Sequence, residues 1–243
     1  MKKNKFKKIT KLLNYFFRQV VNPVIDLWIF RNKDIESVFT TIYRTNRWGD
    51  LESVSGSGST IRYTESIRKE LPLIIDKYAI NSILDAPCGD FNWMKNVLEN
   101  TGVNYIGGDI AKPLIERNKL LYSNFGTFIH MDITKDDLPK VDLMIVRDCL
   151  FHLSEENVKL FLLNFVKSDI RYLLTTTHIN HNDEFANSNI KNGDFRLLDL
   201  YSKPYSITTK VIYKFNDFIY PEPPREMILI TRDMLNDSLM SSQ

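Results

Sequence analysis

Apolar positions along the chain follow two different periods. In the first 25 residues Phe6, Ile9, Leu13, Phe16, Phe17, Val20 and Val24 fall at steps of three and four, with Lys5, Lys7, Lys8, Lys11 and Arg18 mostly between them. That spacing predicts a basic amphipathic helix. From residue 80 onward, short β-branched apolar runs alternate with helical patterns. Residues 80–86, 103–109, 127–131, 141–146 and 170–177 read as strands, and 92–98 and 113–122 as helices. Another helix follows the fourth strand, capped by Ser154, with Glu155 and Glu156 in the first turn where the helix dipole favours negative charge. Strands alternating with helices in this way predict a parallel sheet covered on both faces. Beyond residue 177 the rhythm breaks: 178–208 is polar and loop-like, then 209–219 and 226–232 read as two strands joined by Tyr220-Pro-Glu-Pro-Pro224. The expected outcome is a five-stranded αβ sheet extended by a terminal hairpin.

Composition narrows the class. A chain of 243 residues with 43% hydrophobic side chains can bury one sizeable core, so one domain with short appendages is expected. Its two cysteines, Cys88 and Cys149, stand far apart without finger spacing, which leaves neither a disulfide framework nor a structural zinc site and suits a reducing cytoplasm. Residues 1–25 carry six Lys and one Arg with no acid, whereas the rest holds 25 basic against 30 acidic side chains. The body is therefore mildly acidic and has no general attraction for a nucleic-acid backbone, so no nucleic-acid partner is expected. Arg18 and Asp26 interrupt the N-terminal apolar stretch too soon for a signal peptide or a bilayer span. Two readings of residues 1–25 stay open: a helix lying on an anionic membrane surface, or a helix packed on the body.

In open sheets of this kind ligands bind beyond the carboxyl ends of the strands. After the first strand stands Asp85-Ala-Pro-Cys-Gly89-Asp90-Phe91-Asn-Trp93, with one glycine and two acids. A pyrophosphate needs glycine-rich backbone and no nearby acids, so this loop disfavours a dinucleotide. An acid there suits the amino group of an amino-acid-like ligand, or caps the next helix. Asp109, twenty residues after Gly89, can accept from both hydroxyls of a ribose. Met131-Asp132-Ile133 offers apolar surface to an adenine face and a carboxylate to its exocyclic amine.

The segments ILDAPCGDFNWM, YIGGDI, HMDIT and DLMIVRDCLFHLS, in that order, resemble the motif series of class I S-adenosylmethionine-dependent methyltransferases over roughly residues 60–235. The resemblance implies an α/β, Rossmann-like sheet of seven strands with the last antiparallel, as a domain over 60–243. Residues 1–59 would add an N-terminal helical extension: the amphipathic helix, a further helix and a Gly/Ser loop. It implies S-adenosyl-L-methionine as cofactor, with Asp85 and Gly89 at its methionine moiety, Asp109 and Ile110 at the ribose, Asp132 and Ile133 at the adenine, and Arg147 beneath the sulfonium. The chain departs from the pattern at Pro87 and Phe91, which occupy two of the usual glycine positions. Trp48-Gly49, the loop Ser55-Gly-Ser-Gly-Ser59 and Gly193-Asp194-Phe195-Arg196 are similar to small bacterial methyltransferases of surface-polysaccharide and capsule biosynthesis, some associated with O-methyl phosphoramidate decoration.

On this reading the reaction is methyl transfer to an oxygen of a small or glycan-linked acceptor. His152 and His178, both at strand ends, are candidate general bases or packing residues, with Asp148 as the group that orients them. Arg196 suits a phosphate or carboxylate on the acceptor, or a surface ion pair with Asp194 or Asp199. Trp48 is placed against the acceptor or in the core, and the Ser55–Ser59 loop is a flap or a linker. His178, His181, Asp183 and Glu184 are metal-ligating types at intervals that match no metal signature, so no metal is expected. The alternatives are a nucleotide-sugar or NAD(P) enzyme on a similar sheet, and a non-catalytic binding protein that keeps the fold.

Overall fold

The computed structural model describes residues 34–241 apart from positions 181, 183 and 209, so the helix expected over residues 1–25 lies outside the described residues. Its elements are α1 (Ile35–Thr45), α2 (Glu65–Lys77), β1 (Ser82–Asp85), α3 (Met94–Leu98), β2 (Asn104–Asp109), α4 (Lys112–Tyr122), β3 (Thr127–His130), β4 (Leu143–Val146), α5 (Glu155–Lys167), β5 (Tyr172–His178), β6 (Tyr213–Asn216), β7 (Arg225–Thr231) and α6 (Arg232–Ser241). Among the described residues, no helix is long and apolar enough to cross a membrane.

The seven strands form one sheet in the order β3-β2-β1-β4-β5-β7-β6. The first five are parallel, with Asp85 beside Gly107 and Ile145, while β7 runs antiparallel to both β5 and β6. Successive side chains on a strand face opposite sides. Met144 and Val146 of β4 accordingly join one core, with Val158, Phe161, Leu162 and Phe165 of α5. Leu143 and Ile145 join the other, with Ile67, Leu71, Ile74 and Ile75 of α2. The α5 residues recur at steps of three and four, the stripe a helix needs to lie on a sheet. Ser154 caps α5 as expected, accepting from the Asn157 N–H at 3.3 Å.

The edge strand β6 is shorter than its apolar pattern. It pairs only with β7, over four positions, and ends where Asp217 turns its carboxylate inward to Arg147 at 2.7 Å. The C-terminal helix α6 begins at Arg232, where the sequence reading ended a strand; its Leu235 is buried in the core that α5 covers.

The loop after β1 shows how the chain does without two of the usual glycines. The peptide bond into Pro87 is cis, and Phe91 adopts φ +60°. For a bulky residue the left-handed region costs about 1–2 kcal/mol. Here the ring is 1% exposed and packs on Tyr105, Tyr122, Phe125 and Phe128, with centroids 5.0–5.5 Å away. Burial of that size outweighs the backbone cost. Phe91→Ala keeps the unfavourable φ and loses the packing, so urea denaturation should show a loss of about 3–5 kcal/mol. A loss under about 1 kcal/mol would mean that the aromatic cluster does not hold this loop.

Candidate functional site

The strand order turns around between β1 and β4, and a crevice opens there at the carboxyl edge. It holds a cavity of about 320 Å³. One wall comes from α1. Asp34 caps this helix by accepting from the Ser37 N–H at 3.0 Å, and a left-handed Asn46 ends it. Ile35, Phe39 and Tyr43, each one turn further on, face the cavity, while Val38 and Ile42 are buried beside Phe39 and Trp48. A second wall is the Ser55–Ser59 loop, which is tied down at its start by Asp90. The Asp90 carboxylate accepts from Ser53 Oγ (3.0 Å), the Val54 N–H (3.0 Å) and Ser55 Oγ (3.3 Å), and the Asp90 N–H donates to Ser55 Oγ at 2.9 Å. Gly89, at φ +55°, leaves no room for a side chain, since a Cβ would run into Ser55 Oγ.

The three strand-end acids line this one cavity. Asp85 accepts from the Tyr105 hydroxyl at 2.9 Å, and burial pushes its carboxyl up to about 7 despite Tyr105 and the nearby Arg147. Asp109 accepts from the Ala111 N–H (2.8 Å) and the Gly89 N–H (3.2 Å); burial still raises it to about 6. Asp132 is engaged by its own turn: Oδ1 accepts from the N–H and hydroxyl of Thr134 at 2.9 and 2.6 Å, and Lys135 lies 3.2 Å from Oδ2. Between these acids Ile110, Leu114, Met131 and Ile133 give an apolar surface.

The side of the cavity formed by β4, β5 and β7 is different. Arg147 donates from Nε to Asp217 at 2.7 Å and from Nη1 to the Gly58 carbonyl at 2.8 Å. Asp148, at φ +51°, takes Arg225 Nη2 on Oδ2 at 2.7 Å. Beside them stand the histidines, in opposite states. The Nδ1–H of His152 donates to the Asp194 carbonyl at 2.7 Å, leaving the lone pair of the neutral ring on Nε2. The Leu198 N–H donates to Nδ1 of His178 at 3.1 Å, which puts the neutral ring's proton on Nε2. Burial lowers both, His178 to about 4. Phe151 touches both rings, and Trp48 lies 5.3 Å from His152 between centroids.

No family model and no curated protein matches this chain. Solved structures do. The methyltransferase domain of bacterial CtHen1 superposes with a TM-score of 0.52 at 12% identity, over 70% of this chain and 99% of that one. Magnesium protoporphyrin IX methyltransferase from Synechocystis PCC 6803, with bound S-adenosylmethionine, gives 0.52 at 13% over 81% and 97%. Human N-acetylserotonin methyltransferase, also in complex with S-adenosylmethionine, gives 0.52 at 14% over 89% and 68%. The chain has the class I methyltransferase fold.

Within that fold the cavity brings together Trp48, Asp85, Gly89, Asp109, Ile110, Asp132, Ile133, Arg147, Asp148, His152 and His178. Arg196 is not among the lining residues; its neighbour Phe195 is. The surface ion pair considered for Arg196 does not form. The side chain is buried and Nη2 donates to the Tyr205 hydroxyl at 3.3 Å, while the Asp194 and Asp199 carboxylates accept from the N–H groups of Phe195 and Tyr201. The orienting role expected of Asp148 falls instead to the Asp194 carbonyl, because Asp148 is committed to Arg225. Among the described residues no three His, Cys, Asp or Glu side chains converge as a metal site would require. Sequence reasoning missed Ile35, Phe39, Tyr43, Tyr63 and Arg225 as wall residues; the steps of four within α1 were the one local signal available.

Proposed function

We propose that the protein is an S-adenosylmethionine-dependent O-methyltransferase acting on a small acceptor. The observation that carries this reading is the convergence of Asp85, Asp109 and Asp132, from three successive parallel strand ends, on one cavity at the crevice. The donor set fits the cofactor. Asp85 has a single protein partner and lines the cavity, as an acceptor for an ammonium must. Asp109 is held rigid by two backbone N–H groups with lone pairs left for ribose hydroxyls. Met131 and Ile133 offer apolar surface to a purine face. When bound, S-adenosylmethionine supplies an electrophilic methyl group. The chain's part is to place an acceptor oxygen in near-attack geometry, exclude water and receive a proton. Phe39, Tyr43 and the Ser55–Ser59 flap exclude water. Nε2 of His152 takes the proton of an acceptor hydroxyl, while Nε2–H of His178 donates a hydrogen bond and cannot act as the base in this tautomer. The finer reading, a carbohydrate-linked or phosphoramidate acceptor in surface-glycan biosynthesis, is supported by the resemblance at Trp48-Gly49, Ser55–Ser59 and Gly193–Arg196.

Calorimetric titration with S-adenosylmethionine and S-adenosylhomocysteine tests the reading; a folded chain that binds neither overturns it. The acids also set a pH dependence. With Asp85 at about 7 and Asp109 at about 6, both are partly protonated near neutrality in the free protein. A ligand ammonium and ribose hydroxyls favour the ionised forms, so binding expels protons and affinity climbs as pH rises. S-adenosylhomocysteine should bind at least about tenfold more tightly at pH 8 than at pH 5.5, with proton release detected in buffers of different ionisation enthalpy. A flat profile would exclude these carboxyls from the contact.

A further inference from the structure

Four buried hydrogen-bond donors of residues that line the cavity have no partner: Arg147 Nη2, Arg225 Nε, His178 Nε2 and the Tyr63 hydroxyl. A buried donor without a partner has lost its water and gained nothing in exchange, so a cluster of them calls for a ligand with acceptors. They belong to one patch. Arg225 Nη2 and Arg147 Nη1 lie 2.7 and 3.4 Å from the same Asp148 oxygen, His178 pairs with Arg225 across the β5–β7 ladder, and the Arg225 guanidinium sits 4.7 Å from the Tyr63 ring centre. The patch exists because β7 is antiparallel, which brings its first residue, Arg225, to the carboxyl edge beside the last residue of β5.

We infer that this patch is the docking site for an oxyanion on the methyl acceptor, a planar carboxylate or a tetrahedral phosphate-type group. The inference rests on the methyltransferase reading for the whereabouts of the cofactor. β7 is four strand positions from β2, roughly 19 Å at the usual spacing of about 4.8 Å, so the Asp109 end of the cavity and the donor patch serve different parts of what is bound. Asp148 and Asp217 match the two guanidiniums in charge and Glu222 also lines the cavity, so the patch has no net positive charge; what it offers is directed N–H and O–H groups, four unpartnered donors against one unpartnered acceptor, Asp217 Oδ1. A fork of oxygens with several lone pairs meets that demand, as guanidinium–oxyanion geometry does generally. His178 contributes because the Leu198 N–H holds it in the tautomer that donates from Nε2.

The test is calorimetric titration of the full chain, saturated with S-adenosylhomocysteine, using inorganic phosphate, acetate and neutral trimethyl phosphate. At least one anion should bind, and the neutral ester about tenfold more weakly or not at all. The preference between phosphate and acetate tells a tetrahedral from a planar group. Tyr63→Phe removes a hydroxyl whose own O–H has no acceptor, the Ile219 backbone being its one hydrogen-bonding neighbour, and His178→Phe removes the ring donor while keeping a ring against Phe151. Each should weaken anion binding about five- to tenfold while the affinity for S-adenosylhomocysteine stays within about twofold. The inference is overturned if no anion binds, if neither substitution affects anion binding, or if the anion competes with S-adenosylhomocysteine, which would make this the seat of the cofactor's own carboxylate. Should S-adenosylhomocysteine itself fail to bind, the methyltransferase reading falls. Phosphate titration of the ligand-free wild type and Tyr63→Phe then decides the patch alone, with binding weakened by the substitution supporting it and any other result ending it.

Discussion

Asp109→Ala is expected to weaken S-adenosylhomocysteine binding by about 100-fold, the equivalent of two hydrogen bonds to a charged group at about 1.5 kcal/mol each. The carboxylate ends β2 and is 7% exposed, pinned by the Ala111 and Gly89 N–H groups, so on the proposed reading it would meet a ribose without reorganising. Alanine also strips those two N–H groups of their acceptor, so a stability measurement must accompany the titration. Asp109→Asn is the informative companion: its one amide oxygen keeps at most part of the network, and its affinity should fall between the two. Unchanged affinity in a folded Asp109→Ala protein would remove Asp109 from the cofactor site.

The second large effect is on turnover. With a hydroxyl acceptor, His152→Ala should lower kcat by about 10²- to 10⁴-fold with little change in S-adenosylhomocysteine affinity. The sign of the pH profile follows from the ring's surroundings. Burial holds the His152 pKa below its ordinary 6.5, so the neutral, proton-accepting form is the active one and prevails at neutral pH. At saturating S-adenosylmethionine, wild-type kcat/KM for the acceptor should rise with pH through that lowered pKa and then level off, and His152→Ala should lose this limb. His178 is a contrast, since burial carries it down to about 4 and its Nδ1 is occupied. Its replacement should act mainly on the acceptor's KM. Retained turnover in His152→Ala would move the proton to another group or to an acceptor that needs no base.

The sheet was legible because parallel strands buried on both faces write themselves as short apolar runs. Ile83, Leu84, Leu143–Val146 and Leu173–Leu174 could be found without any knowledge of their neighbours. Asp85, Asp109 and Asp132 were legible for a related reason, since a strand end is a local event and the fold decides where strand ends meet. What depends on long-range geometry was not. Nothing near Asp148 announces that Arg225, 77 positions on, will take its carboxylate, because that contact exists only once β7 lies antiparallel beside β5. Phe39 and Tyr43 are two aromatics on a short helix until that helix is laid over the crevice. Arg196 looked like a surface charge in a polar loop, yet the loop folds back so that its N–H donates to the Phe151 carbonyl and its side chain is buried. Phe91 signalled a departure from the glycine pattern, but only its four ring neighbours explain how a bulky residue holds a positive φ.

The position of β7 between β5 and β6 also governs how the molecule can be assembled on the ribosome. A chain emerging from its N-terminus can zip β1 to β5 together as each strand appears, but β6 then arrives with no strand to pair with. It must wait, unpaired, until the fifteen residues from Asp217 to Thr231 have followed it, and the open edge of β5 waits too. Closing the sheet, seating Arg225 at the crevice and giving β6 a neighbour are therefore one late event. Until then Tyr63, Arg147 and His178 have been made but Arg225 has not taken its place, and the crevice lacks its far wall until the last strand threads into its slot.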